Sequence, residues 1–299
     1  MYYYKVYGLI FESNIVMPQL LCMESQSKKD ASILWGSVPA FIKEEKAKRA
    51  GGDNGDSIWF HNSKAYYWIT DNEIIVEPKE KQELDDIVPF IQGYCFAMLF
   101  SKRGLHALHC SALYGENGVV LIGGYSGAGK STITNKLLQE GYRLMADDVS
   151  VLQSLDDKIQ VFPGFPIQKI CPDVLIKQNI EYSNLEMTNE GKGKYVLDCR
   201  DNFYDKPAIL YKFIILDKQI MPEINQVNIT NGTDMLLSFI DNLFLSEAFP
   251  CIGFPPLQMQ AAIDIVTKLE CIYMIYRTED IDSVDRVYGC IRKILNKKE

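Results

Sequence analysis

The spacing of hydrophobic and polar positions changes along this chain, and each change predicts a different element. Tyr2 to Phe11, Lys64 to Ile69 and Glu73 to Val76 are dense in aromatic and β-branched residues, which predicts strands. Asp71-Asn72 supplies turn chemistry between the last two. Ile42 to Ser57 is a charge run closing on Gly, Asp and Asn, and reads as a solvated loop. From Glu83 the period lengthens. Leu84, Ile87, Val88, Ile91, Cys95, Met98 and Leu99 recur at i, i+3, i+4 and i+7, predicting a helix with one broad buried face. Ser101-Lys-Arg-Gly104 breaks that helix, and a boundary is expected there between a β-rich unit, residues 1–103, and a larger one, residues 104–299.

The larger part reads as strands alternating with helices. Val119 to Ile122 is a short apolar strand, and Ser131 to Gln139 a helix stopping at Gly141. Arg143 to Ala146, Val149 to Gln153, Tyr211 to Leu216 and Cys271 to Tyr276 read as strands, and Asp234 to Leu245 as a helix. A last helix turns Val284, Val287, Ile291 and Leu295 inward. Such alternation predicts an α/β domain. Gln178 to Lys194 is polar, aperiodic and holds two glycines, so a mobile loop is expected there.

Composition narrows the function classes. With 299 residues, 47% of them hydrophobic and 23% charged, the chain is neither disordered nor fibrous. Its 31 Lys+Arg against 39 Asp+Glu leave a net charge of −8, which argues against a nucleic-acid-binding surface. The longest apolar stretch, Val88 to Phe100, is too short for a membrane span, and the N-terminus lacks an export signal. A cytoplasmic protein with no membrane contact is expected. Its eight cysteines form no CxxC pair, so reduced thiols are expected rather than disulfides or zinc. The sequons at Asn228 and Asn231 then carry no meaning.

The chemistry concentrates in Gly124-Tyr-Ser126-Gly127-Ala128-Gly129-Lys130-Ser131-Thr132, a full G-x4-G-K-[ST] match between a strand and a helix. The glycines let successive N–H groups, from Gly124 through Ser126, Gly127, Ala128 and Gly129, turn toward one anion. The helix that Lys130, Ser131 and Thr132 open adds its partial positive charge. Lys130 would reach the terminal phosphates and the Ser131 hydroxyl would ligate Mg²⁺. A nucleotide phosphate is the expected ligand.

Downstream, Ala146-Asp147-Asp148 places two carboxylates side by side at a strand end. Like charges at that distance raise one another's pKa unless a cation sits there. One could hold Mg²⁺ while the other accepts a proton from an attacking hydroxyl. An acidic turn is the plainer alternative. Likewise His109, in Leu108-His109-Cys110-Ser111-Ala, reads on its own as a core histidine before it reads as a catalyst.

Together, His109, the Gly124–Ser131 loop and Gly141-Tyr-Arg-Leu-Met-Ala-Asp147-Asp148 resemble the HPr kinase/phosphorylase family. The resemblance implies a P-loop-containing, phosphoenolpyruvate-carboxykinase-like α/β core, an HPr-kinase C-terminal-like unit beside the smaller β-rich one. It also implies Ser131 and Asp147 on Mg²⁺, Asp148 as base toward an acceptor serine, and His109 tuning that base. The family's Ile-Arg-Gly-x-Gly-Ile run is replaced by Phe162-Pro-Gly164-Phe-Pro166 and Lys192-Gly-Lys194-Tyr, which argues against HPr itself as acceptor and against phosphorolysis. The pattern is similar to that of the HPr-kinase-like enzymes of ribosomal-peptide clusters, among them lasso-peptide tailoring kinases. By that analogy Lys194 or Arg277 would contact the transferring phosphate. The function so implied is ATP/Mg-dependent transfer to a serine of a peptide or small protein, in a homo-oligomer. A kinase of a small metabolite and a non-catalytic nucleotide sensor stay open as alternatives.

Overall fold

The computed structural model describes residues 1–24, 28–44, 51–79, 83–177, 180–183, 185–187, 193–218, 223–254, 256–277 and 283–297. Strands β1 (Tyr2–Val6), β2 (Leu9–Ser13), β3 (Leu21–Cys22) and β4 (Ala31–Trp35) come first, then a short helix α1 (Ala40–Glu44). Strands β5 (Gly51–Asp53), β6 (Ile58–His61), β7 (Ala65–Ile69) and β8 (Glu73–Pro78) complete a sheet ordered β3-β1-β2-β4-β8-β7-β6-β5. Alternate residues turn inward, such as Tyr4 and Val6 on β1 and Ala65, Tyr67 and Ile69 on β7. The run expected over Tyr2 to Phe11 is a hairpin, because Tyr7 and Gly8 both take positive φ, 50° and 77°. Two successive positive-φ residues fit the twist of flanking strands, so they close a two-residue turn.

The charge run is not all loop. Gly51–Asp53 pairs with Ile58–Phe60, closed by Asn54 Oδ1 accepting the Ser57 N–H at 2.8 Å, while residues 45–50 lie outside the described ones. Gly52 presses its bare backbone on the Trp59 ring, where a Cβ would sit 2.5 Å away. The helix expected from Glu83 forms in stages: a 3₁₀ turn Leu84–Asp86, α2 (Val88–Phe90), a π turn Ile91–Cys95 and α3 (Phe96–Lys102). Ile87, Val88, Ile91, Cys95, Met98 and Leu99 are all buried on it.

Beyond Gly104 come β9 (His106–Leu108), β10 (Cys110–Gly115), β11 (Gly118–Gly123), α4 (Lys130–Gln139), β12 (Arg143–Ala146), β13 (Ser150–Leu155), β14 (Lys158–Phe162), β15 (Ile167–Ile170), α5 (Pro172–Lys177) and β16 (Tyr195–Asp198). Then follow β17 (Ala208–Lys218), β18 (Asn225–Ile229), α6 (Gly232–Asp241), α7 (Phe249–Ile252), α8 (Pro256–Val266), β19 (Ile272–Arg277) and α9 (Ser283–Leu295). The second sheet runs β12-β10-β11-β17-β14-β13-β9, with β19 beside β17 and β18 beside β19. Class is mixed α/β, but alternation is only partial. Among the described residues of this sheet, β11·β17 and β17·β19 are parallel and the other pairings antiparallel. The cause is local: Glu116-Asn117 and Asp156-Asp157 make two-residue turns, so β10–β11 and β13–β14 close as hairpins without a crossover helix.

One hydrophobic core joins Phe11 and Tyr67 of the first sheet to Phe96 and Phe100 of α3 and to Val151 and Phe239 beyond. Val287, Ile291 and Leu295 of α9 are buried as their spacing predicts, while Val284 is half-buried. Cys22, Cys95, Cys110, Cys171, Cys199, Cys271 and Cys290 are free thiols; the Cys251 side chain lies outside the described ones. Among the described residues no helix is long and apolar enough to cross a membrane. Much of the loop expected at 178–194, including Lys192, lies outside the described residues.

Candidate active site

Between β11 and α4 the chain must turn back N–H groups first, and three glycines permit it. Gly124, Gly127 and Gly129 take φ of 127°, 82° and 103°. Gly124 is constrained twice, since a Cβ there would lie 2.1 Å from the Leu216 carbonyl oxygen on β17. Asn242, just past α6, holds the loop's entrance: its Oδ1 accepts the Gly124 N–H at 3.2 Å, while its Nδ2 donates to the Ser238 carbonyl at 2.9 Å. The Asn242 carbonyl in turn accepts the His109 N–H at 2.7 Å. From the opposite side Arg277, ending β19, donates to the Gly127 carbonyl at 2.7 Å. Lys130 folds along the loop and donates to the Gly124 and Tyr125 carbonyls.

Asp147, Asp148 and Val149 join β12 to β13 in a tight reversal. The Val149 N–H donates to the Asp147 carbonyl at 2.8 Å, closing a three-residue turn on Asp148, whose φ is 69°. This is the strained hand of the γ-turn, rarely taken by a residue with a side chain. The turn sends the adjacent carboxylates to different partners. Asp147 accepts the Ser111 hydroxyl at 2.7 Å and the Lys169 N–H at 3.0 Å. Asp148 instead lies 3.4 Å from His109 Nε2 and 3.6 Å from Lys169 Nζ. His109 stands where the chain leaves β9 for β10, its ring tilted against Phe244 at 5.9 Å.

These partners separate the two acids electrostatically. Burial and then the neighbouring Asp148 charge push the Asp147 carboxyl up, against the pull of Ser111 and the Lys169 N–H. Burial would raise Asp148 as well, but Lys169, Lys194, His109 and Lys130 outweigh it and hold that carboxyl down to about 2. Burial lowers the Lys130 and Arg277 pKa values. Among the described residues the buried Arg277 Nε has no hydrogen-bond partner.

All these groups border one cavity of about 830 Å³. Each sequence-derived site residue lines it except Ala128, which is buried behind the loop in the core that holds α4. Lys194 and Arg277 line it too. Sequence reasoning gave no role to Ser111, although it stands in the run quoted around His109, and missed Lys169 and Asn242, which belong to no motif. For Lys169 a weak signal existed: it is the lone cation in the apolar run Phe165-Pro-Ile-Gln-Lys169-Ile. The opposite wall is aromatic. Phe90 and Tyr94 stack at 6.3 Å, Tyr94 meets Phe244 edge-on at 5.3 Å, and Phe60 extends the series outward at 5.9 Å from Tyr94.

No family model matches this sequence, and no curated protein matches it. Among solved structures the chain is similar to the HPr(Ser) kinase/phosphatase from Coxiella burnetii, at 17% identity over 63% of this chain and 95% of that one, with a TM-score of 0.33. At that similarity the functional reading rests on this chain's own residues.

Proposed function

We propose that this protein is an ATP- and magnesium-dependent kinase acting on a serine hydroxyl of a peptide or small protein. The observation behind this reading is the shared cavity: a phosphate-binding loop on one side and an ionised aspartate beside a histidine and a lysine on the other. Phosphoryl transfer needs positioning, charge neutralisation and a group to take the hydroxyl proton. Loop N–H groups, Lys130 and Arg277 meet the first two needs. Asp148 meets the third, with Lys169 and Lys194 flanking the transferred group.

A carboxylate held at about 2 is a poor base while lysines surround it. Those same lysines are the natural partners of a terminal phosphate. As they turn to it, Asp148 loses its stabilising charge and becomes more basic beside the acceptor hydroxyl. Ser131 and Asp147 would hold Mg²⁺, which supplies charge neutralisation of the phosphates. A carboxylate and a hydroxyl are oxygen donors suited to a hard cation. Among the described residues no cluster of three acidic, histidine or cysteine ligands exists, and magnesium commonly takes only one or two carboxylates.

The aromatic wall supports a peptide rather than a small metabolite as acceptor, because Phe90, Tyr94 and Phe244 continue outward to Phe60 of the first sheet. Residues 1–103 would thereby contribute to acceptor recognition, and a ribosomal-peptide precursor is the acceptor the family resemblance implies. Incubation with labelled ATP and a serine-containing peptide panel tests this. Phosphate should appear on serine and vanish from the Ser→Ala peptide. Nucleotide binding with no transfer to any peptide or metabolite would instead make the protein a sensor. Tyr94→Ala should raise KM for a peptide acceptor about ten-fold, the effect of losing one aromatic anchor. KM for ATP should stay unchanged; a rise there would show that the wall holds the base.

A further inference from the structure

We infer that Tyr7, in the first hairpin turn of the chain, is a positioning residue for Asp148, acting through the strained turn that carries it. Its hydroxyl donates to the Val149 carbonyl at 2.8 Å, across 142 residues of sequence. Its own N–H donates to the Pro163 carbonyl at 2.8 Å, so both ends of the residue grip the strands around the acidic turn. The side chain is 1% exposed, with its ring edge-on to Phe100 at 5.2 Å and Phe165 at 6.3 Å. Gly8 and Gly164 make room for this insertion: a Cβ on Gly8 would sit 2.8 Å from the Phe162 ring, and one on Gly164 3.0 Å from the Tyr7 ring.

The physical need lies at Asp148. A residue at φ 69° with its neighbours hydrogen-bonded into a three-residue turn relaxes unless the surroundings over-determine it. Asp147 is anchored by its carboxylate, to Ser111 and Lys169. On the other side of the turn, the Tyr7 hydroxyl is the side-chain donor on Val149. Buried donors and acceptors lose most when one partner is removed, so this bond holds the carbonyl in one place. The β-rich part is thus a structural half of the candidate site, not only a place for the acceptor to land. This inference rests on the reading of Asp148 as base.

Tyr7→Phe tests it, because the ring contacts remain and only the hydroxyl is lost. Hydrogen exchange of the amides from Asp147 to Ser150 should accelerate about ten-fold, the equivalent of one lost hydrogen bond. With MgATP and water as acceptor, kcat for phosphate release should fall by up to about a hundred-fold, the scale of a displaced catalytic group, at unchanged KM for ATP. Melting temperature should fall by only a few degrees, the scale of one lost hydrogen bond in a chain of this size. Gly164→Ala, which pushes on the ring while leaving the hydroxyl, should give the same pattern. Exchange at the wild-type rate in both variants overturns the inference whatever the activity. So does a parallel loss of kcat, ATP affinity and melting temperature, which is the signature of a merely structural role. Asp148→Asn run alongside separates the two ideas: undiminished phosphate release there removes the base assignment, while the exchange result still decides what Tyr7 holds.

Discussion

Asp148→Asn should cut phosphate transfer by about a thousand-fold, within the range expected for loss of a positioned base, while leaving ATP binding intact or slightly tighter. The amide keeps the size of the carboxylate and its place in the turn, so the fold is not the variable. It removes the group that would take the hydroxyl proton. The direction of the binding change follows from the charges. Lys169 Nζ lies 3.6 Å from Asp148, and Lys194 and Lys130 also stabilise its ionised form. With that negative charge gone, all three cations are left to the nucleotide phosphates. Single-turnover transfer and direct nucleotide titration on the same sample check both halves. Undiminished transfer would remove Asp148 from the mechanism, and lost binding would make its role electrostatic support of the loop.

Gly124→Ala should lower nucleotide affinity by more than about a hundred-fold, equivalent to about 3 kcal/mol, and destabilise the fold as well. Two independent penalties coincide there. The backbone sits at φ 127°, which an L side chain rarely adopts, and the added Cβ would lie 2.1 Å from the Leu216 carbonyl oxygen. Leu216 belongs to β17, paired with both β11 and β19, so the obstacle cannot yield. The loop must move instead, breaking the Asn242 contact and misdirecting its N–H groups. Gly127→Ala is the control. Its φ of 82° is also unfavourable, yet nothing lies within 4 Å of its Cβ position, so only about 1–3 kcal/mol of backbone strain is expected. Calorimetric titration with ATP and thermal melts of the two variants should rank them in that order. Equal losses would mean that conformation, not the close approach, constrains Gly124.

The parts of the site that were legible in sequence are those whose chemistry is local. The glycine loop, its strand and its helix lie within one short stretch, and the glycines are dictated by the positive φ that each takes. Asp147-Asp148 could be read because two like charges at a strand end are costly without a purpose. Lys169, Asn242 and Tyr7 could not, since they meet their partners across 22, 118 and 142 residues, set by how the sheets stack. The same distinction explains the fold. Strands β7, β8, β12 and β19 follow from side-chain periodicity almost to the residue. The antiparallel pairing of β13 and β14 does not, because pairing direction is decided by turn length and by which neighbour is already in place. The sequence between residues 42 and 57 failed differently: polar composition concealed a glycine strand held by contact with Trp59.

Asn242 limits how such a site could diversify. One asparagine fastens the entrance of the glycine loop through its side chain and the histidine segment through its backbone. On the proposed reading, phosphate binding and acceptor chemistry are therefore not separable modules. A drift in the loop that displaced Asn242 would be transmitted to His109, and a change of acceptor that shifted His109 would reopen the loop. Lineages retaining this asparagine would vary their acceptors through Phe90 and Tyr94, the stretch of the aromatic wall beyond the Phe244 ring that packs on His109.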